Sequence, residues 1–351
     1  AYGNVTSSSS QFVWTRDITQ PSMTITAATS GGTSVTTDSL SNASSLVFTL
    51  TSSSVASGFV VDDFVITKDG TTMVDTTSVL SAFNATNDPI HIVTFTPVLD
   101  GVYTFNIPAG SFTDAAGNNN VASNTFTWTY DSTQPTATVA YSPIGPYKQS
   151  DSVTMTITCD ETMSAISADI PKITISSGGF TGVTGAVLTA SSSSSVFTYI
   201  FAIPAGDGTG TVTLGTGEDL AGNVIIVNPT SGNTFVVDNT APTAAITYSP
   251  DSSSTPYHED DEVTITATFN ENMMASPLPK IKIDGTNIGD VPLTQMVQTN
   301  ATVFTYTYTV PSGTGTGTVS LYTGTDLAGN VTTSTPTSGA TFNVNNTKPT
   351  M

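Results

Sequence analysis

The chain has 351 residues, 37% hydrophobic but only 10% charged, and its 27 acidic residues against seven Lys and Arg give a formal charge of −20. A surface this negative repels nucleic-acid phosphates and anionic lipid and attracts cations, so neither nucleic acid nor membrane is an expected partner. One cysteine, Cys159, excludes an internal disulfide, and no run of about 18 apolar residues suggests a membrane span.

Taken in order, the chain opens on an alternating segment, Ser10-Gln11-Phe12-Val13-Trp14-Thr15, predicted to be a strand, followed by Asp17-Ile18-Thr19-Gln20-Pro21. The same strand-then-junction pair recurs at Phe126-Thr127-Trp128 with Asp131-Ser132-Thr133-Gln134-Pro135, and at Phe235-Val236-Val237 with Asp238-Asn239-Thr240-Ala241-Pro242. It appears a fourth time at Phe342-Asn343-Val344 with Asn345-Asn346-Thr347-Lys348-Pro349. The junctions stand 114, 107 and 107 residues apart, close to one β-sandwich of roughly 100 residues each. Upstream of the later three lie the turns Asp114-Ala115-Ala116-Gly117-Asn118, Asp219-Leu220-Ala221-Gly222-Asn223 and Asp326-Leu327-Ala328-Gly329-Asn330. Gly and Asn there supply the positive φ of a tight reversal.

Period-two alternation in the second repeat predicts seven strands, near 136–142, 152–159, 172–176, 184–190, 196–203, 209–215 and 233–238. The second of these, Val153 to Cys159 followed by Asp160-Glu161, aligns with Val263 to Phe269 followed by Asn270-Glu271. Cys159 therefore falls on the apolar face as a small buried hydrophobe.

The Asp-x-Thr-x-Pro junction, the strand closing on Asp-Glu or Asn-Glu, and the late Asp-x-Ala-Gly-Asn turn together resemble the bacterial-type immunoglobulin-like repeats of large surface adhesins. The resemblance covers residues 17–344. It implies an all-β chain of three tandem seven-stranded immunoglobulin-like β-sandwiches arranged as a rod. The expected divisions are 1–16 as the last strand of a preceding repeat or a donor strand, then domains 17–130, 131–237 and 238–344, with 345–351 starting a following repeat. The first repeat departs from the pattern, with Thr51-Ser52-Ser53-Ser54 where the others carry the Glu.

If odd strands run away from the N-terminal end of each domain and even strands return, the junction Asp, the Glu after the second strand and the late turn meet at that end. The converging groups are then Asp131, Asp160, Glu161 and Asp219, joined by Glu218, in the second domain. In the third they are Asp238, Glu271 and Asp326 with the Asn270 carbonyl, and in the first only Asp17 and Asp114 remain. Carboxylates gathered without a basic partner call for a cation, and Ca²⁺, which takes six to eight oxygens in flexible geometry, suits them better than zinc. The plainer alternative is that each Asp caps its own turn and the Glu is solvated. A bound ion at the joint, next to a short Pro-restricted linker, implies a stiff chain that bends more when calcium is chelated.

No catalytic set emerges. His91 and His258 lie in different repeats and read as loop residues, and Gly206 to Gly210 and Gly313 to Gly317 lack the lysine of a phosphate loop and read as hairpin turns. Trp14 and Trp128 hold equivalent positions and are expected to pack in a core or joint. The predicted role is a non-enzymatic, extracellular, cell-surface stalk or filament segment, and any signal peptide or anchor is expected outside these residues. Its partners would be neighbouring repeats or copies of itself, with a cell-surface or glycan ligand bound elsewhere. A carbohydrate-binding module of a secreted enzyme is the alternative, which requires an exposed aromatic row. Sequons stand at Asn4, Asn42, Asn84, Asn300, Asn330 and Asn345, and a glycan on Asn330 would compete with the acidic site.

Overall fold

The computed structural model describes residues 11–81, 83, 89–166, 168–251 and 255–348. They fall into two compact units, one made of residues through Pro135 together with Glu218–Val224, the other of Thr136–Gly217 and the residues from Ile225 on. Among the described residues the only helical element is a 3-10 turn at Val61–Asp63.

The first unit holds ten strands: β1 (Met23–Thr29), β2 (Ser34–Val35), β3 (Ser39–Ser41), β4 (Leu46–Ser52), β5 (Val65–Lys68), β6 (Thr71–Thr72), β7 (Leu80–Ser81), β8 (Ile90–Phe95), β9 (Gly101–Asn106) and β10 (Phe126–Tyr130). They form two sheets, ordered β2-β1-β4-β8-β7 and β3-β10-β9-β5-β6. Alternation in β4, β8 and β9 drives Phe48, Phe95 and Phe105 inward against Trp128, all essentially inaccessible. The Phe48 and Phe105 rings lie 4.4 Å apart between centroids. Each such ring removes about 150–250 Å² from water, worth about 4–6 kcal/mol before the entropy of ordering it.

The second unit holds two sandwiches of eight strands each. The earlier comprises β11 (Ala137–Ser142), β12 (Ser152–Cys159), β13 (Lys172–Ser176), β14 (Val183–Val187), β15 (Thr189–Ala190), β16 (Val196–Ala202), β17 (Gly208–Gly215) and β18 (Thr234–Val237). The later comprises β19 (Ala244–Ser249), β20 (Glu262–Phe269), β21 (Lys280–Ile288), β22 (Val291–Gln295), β23 (Val297–Gln298), β24 (Val303–Thr309), β25 (Gly313–Tyr322) and β26 (Thr341–Val344). Their sheet orders match strand for strand: β11-β12-β16-β15 with β14-β13-β17-β18, and β19-β20-β24-β23 with β22-β21-β25-β26.

Seven strands become eight because the fourth divides between the sheets. Leu188, 3% exposed, and Met296, 1% exposed, mark the crossing, and their amides donate to the Pro171 and Pro279 carbonyls. Alternation registers which face a residue takes, and not which sheet its strand has joined. The glycine-rich stretches are also more than turns, since Gly210 and Gly317 lie inside β17 and β25. A Cβ there would sit 2.4 and 2.3 Å from the rings of Phe235 and Phe342, so glycine makes room for the last strand's aromatic residue.

Other expectations are corrected. Residues 11–15 form no strand, and Trp14 is 70% exposed where Trp128 is fully buried. Trp128 has β9 beside it to complete a sheet, which Trp14 lacks among the described residues. His91 is no loop residue: it lies in β8 opposite Leu50, 2% exposed, with its ring stacked on Phe83. Alternation with Val93 and Phe95 carries it inward. Cys159 pairs with Ala137 as Phe269 pairs with Ala244, and burial, aided by Asp160 and Glu161, pushes its thiol up to about 11. Sequons Asn4 and Asn84 lie outside the described residues.

Candidate metal centre at a clamped joint

The junction motif is first a local turn. In Asp17, Asp131, Asp238 and Asn345 the side-chain Oδ1 accepts the backbone N–H two residues on, from Thr19, Thr133, Thr240 and Thr347, at 2.9, 3.0, 3.0 and 3.0 Å. This is the Asx turn that a short polar side chain forms with its own backbone. It fixes the exit of each last strand and explains why Asn345 replaces Asp without loss of geometry.

The late turn is the second device. Asp114 Oδ1 accepts the amides of Ala116 and Asn118, each at 2.9 Å, while Oδ2 accepts Asn118 Nδ2 at 2.9 Å. Those donors, the Asn118 side chain foremost, hold the Asp114 carboxyl below its ordinary range. Asp219 repeats the pattern with Ala221 and Asn223, and Asp326 with Asn330. The asparagine's other amide hydrogen reaches the junction carbonyl: Asn118 to Asp17 at 3.3 Å, Asn223 to Asp131 at 3.0 Å and Asn330 to Asp238 at 2.8 Å. One side chain thus ties the turn to the linker.

The linker is held from the preceding sandwich as well. Asp207 accepts the Asn239 amide and, at 3.0 Å, the Thr240 hydroxyl, while the Gln149 amide donates to Asn239 Oδ1. In the first unit Asp100 accepts Ser132 N and Oγ at 2.9 and 2.8 Å and Thr133 Oγ1 at 2.7 Å. These bonds, led by the Thr133 hydroxyl, lower the Asp100 pKa. Thr314 plays this part for Asn346. Asp100, Asp207 and Thr314 each stand 31 residues before a junction position, beside a glycine. That fourth periodic element is legible in the sequence, but sequence reasoning missed it because its residue type changes.

A residue from the preceding sandwich also covers the late turn. Lys148 Nζ donates to the Gly329 carbonyl at 2.5 Å. In the first unit the Asn42 amide donates to the Ala221 carbonyl and its Nδ2 to Asn223 Oδ1, at 2.9 and 3.2 Å.

Against this frame stand the carboxylates. Asp238, Glu271 and Asp326 each offer an oxygen, and these atoms lie within 4.8 Å of one another. Asp326 is fully buried, Asp238 and Glu271 partly so. No ion pair among the described residues involves any of the three. Burial, then the charges of Asp238 and Asp326, raise the Glu271 pKa. The neighbouring Asn270 accepts the Thr243 amide on its Oδ1 at 2.8 Å and bonds through its side chain to Glu271. Asp160 is placed likewise, taking the Thr136 amide and hydroxyl at 2.8 and 2.7 Å. Against the cost of its burial, these bonds lower its pKa. Asp131 and Asp219 belong to the first unit, Asp160 and Glu161 to the second. Glu218 pairs with Val224 across the base of its turn. Asp17 and Asp114 are joined through Asn118, and among the described residues no group of three carboxylates includes them.

No protein-family model matches the chain, and no curated protein matches it. Among solved structures it is similar to the adhesin FdeC of Escherichia coli, at 13% identity over 95% of this chain and 100% of that one, with a TM-score of 0.34. It is also similar to three N-terminal domains of the outer capsid protein Hoc of bacteriophage RB49, at 9% identity over 93% and 100%, TM-score 0.35. Domains A168–A170 of titin match at 12% identity over 93% and 99%, TM-score 0.31. The strand order carries the fold assignment: in all three sandwiches the first, second and fifth major strands share one sheet and the third, sixth and seventh the other. The chain is a tandem array of immunoglobulin-like β-sandwiches.

Proposed function

We propose that this chain is a non-enzymatic structural or adhesive segment exposed outside the cell, whose domain joints are load-resisting clamps completed by calcium. The observation that carries the reading is the placement of Asp238, Glu271 and Asp326 at the joint, their oxygens within 4.8 Å of each other and no basic side chain paired to them. Oxygens about 2.4 Å from a common Ca²⁺ stand up to about 4.8 Å apart, so the donor set fits that ion. Turn capping does not compete with this role. A carboxylate oxygen has two acceptor sites, and the amides use only part of the capacity of Asp238 and Asp326.

Calcium bound here would offset two of the three negative charges and tie the linker, the end of β20 and the late turn into one body. Asp131, Glu161 and Asp219 are the motif equivalents in the preceding repeat, while the first repeat lacks the Glu. Isothermal titration of the full chain tests the reading, with calcium binding expected and Glu271→Gln weakening it by about tenfold or more. Absence of calcium binding at millimolar ion would refute it.

A further inference from the structure

Between Ser231, bridged to Thr138, and Val237, bridged to Tyr147, the first strand of the second sandwich departs from the edge of β18. The gap is an open apolar groove of about 540 Å³, walled by Tyr141, Pro146 and Tyr147 on one side and Phe235 and Val236 on the other. Both tyrosine hydroxyls are already spent inside the fold, Tyr141 on the Gly232 carbonyl and Tyr147 on that of Pro143. The two tyrosines therefore present hydrocarbon and no free hydroxyl to the groove. Ile144 stands at its rim 90% exposed, where the third repeat has the polar run Asp251 to Thr255. Sandwich folding gives no reason for that isoleucine.

The same chain carries a matching segment. Phe12, Val13 and Trp14 are 88%, 79% and 70% exposed, and the spacing of Phe12 and Trp14 puts both rings on one side of an extended segment. The chain's only arginine, Arg16, follows directly, and residues 11–16 contain no acid. A locally positive segment on a molecule of net charge −20 is attracted, not repelled, by the acidic surface of another copy.

We propose that residues 11–16 of one molecule dock in the Ile144-rimmed groove of a second copy, laying Phe12 and Trp14 against Tyr141, Tyr147 and Phe235 beside the edge of β18. Edge pairing with alternate side chains in pockets is the usual way an extended segment joins a sheet. The contact joins two different surfaces, so it can propagate from molecule to molecule. It does not involve the joint carboxylates, and chelation leaves it intact.

Sedimentation of the full chain up to about 1 mM, with tryptophan emission read in parallel, tests this. Trp128 is buried and Trp14 exposed, so a concentration-dependent blue shift that Trp14→Phe abolishes reports docking. The expected result is self-association that Trp14→Ser or Ile144→Asp each weakens by tenfold or more, equally with calcium or chelator. Ile144 is exposed, so its variant keeps the fold, checked by an unchanged melting transition. A monomer throughout, association that survives both variants, or a blue-shifted Trp14 in the monomer would each overturn the proposal.

Discussion

Asn330 ties the late turn of the third sandwich to the linker that enters it. Its side chain donates at once to the Asp326 carboxylate and to the Asp238 carbonyl, and Asp326 is fully buried. Asn330→Ala leaves a buried carboxylate short of a donor and cuts the tie to the linker, with a predicted loss of about 2 kcal/mol, read by chemical denaturation. A glycan on the same nitrogen leaves one hydrogen for two acceptors, so a glycosylated Asn330 is incompatible with the clamp as built. Glu271 gives a signed pH effect. Its pKa is raised in the folded state, so the stability it permits is complete below its unfolded pKa and is lost as pH rises through the folded value. Without calcium, Glu271→Gln therefore raises the melting temperature above that range. With calcium it weakens binding by about tenfold or more, because it removes a charged ligand. A variant that shifts melting the same way in both conditions contradicts the site. Asp100 and Asp114, both lowered, act in the opposite sense: their contribution is present above the unfolded carboxylate pKa and fades as pH falls through the folded one.

At the scale of single strands, the two later sandwiches act as controls for each other. Tyr308 in β24 lies opposite Val263 as Phe201 in β16 lies opposite Val153, and the Tyr308 hydroxyl is buried with no hydrogen-bond partner among the described residues. Tyr308→Phe is predicted to be neutral or stabilising by about 1 kcal/mol, since it removes a desolvated group that gains nothing. Gly317→Ala runs the other way, forcing a methyl group into Phe342 and costing about 1–3 kcal/mol. These comparisons show how much could be read from the sequence. Alternation found β12, β13 and β16 nearly to the residue, because each has one buried and one exposed face. It could not divide β14 from β15, since the buried Leu188 continues the period while the chain changes sheets. It also made a strand of residues 11–15, whose pattern is right but whose partner strand is missing from the described residues. At the joint, the Asp and Glu positions were legible as motifs; the fixed spacing of Asp100 and Asp207 was present but masked by Thr314 at the third place, whereas Lys148 has no sequence signal, since it acts across a distance only the fold closes.

For the whole molecule, the repeated clamp matters more than any one domain. Each linker is tied back to the sandwich before it and forward to the late turn, and the third joint in the series keeps the backward tie through Thr314 and Asn346. Hydrogen bonds set this geometry, and the three neighbouring carboxylates of Asp238, Glu271 and Asp326 repel one another across it. The proposed calcium site at Asp238, Glu271 and Asp326 should stiffen the joint. Small-angle scattering of the full chain in calcium and in chelator tests this. Chelation is expected to shorten the maximum dimension and broaden the distance distribution, and Glu271→Gln in calcium to move the profile part of the same way. Superimposable profiles in the two buffers would contradict it.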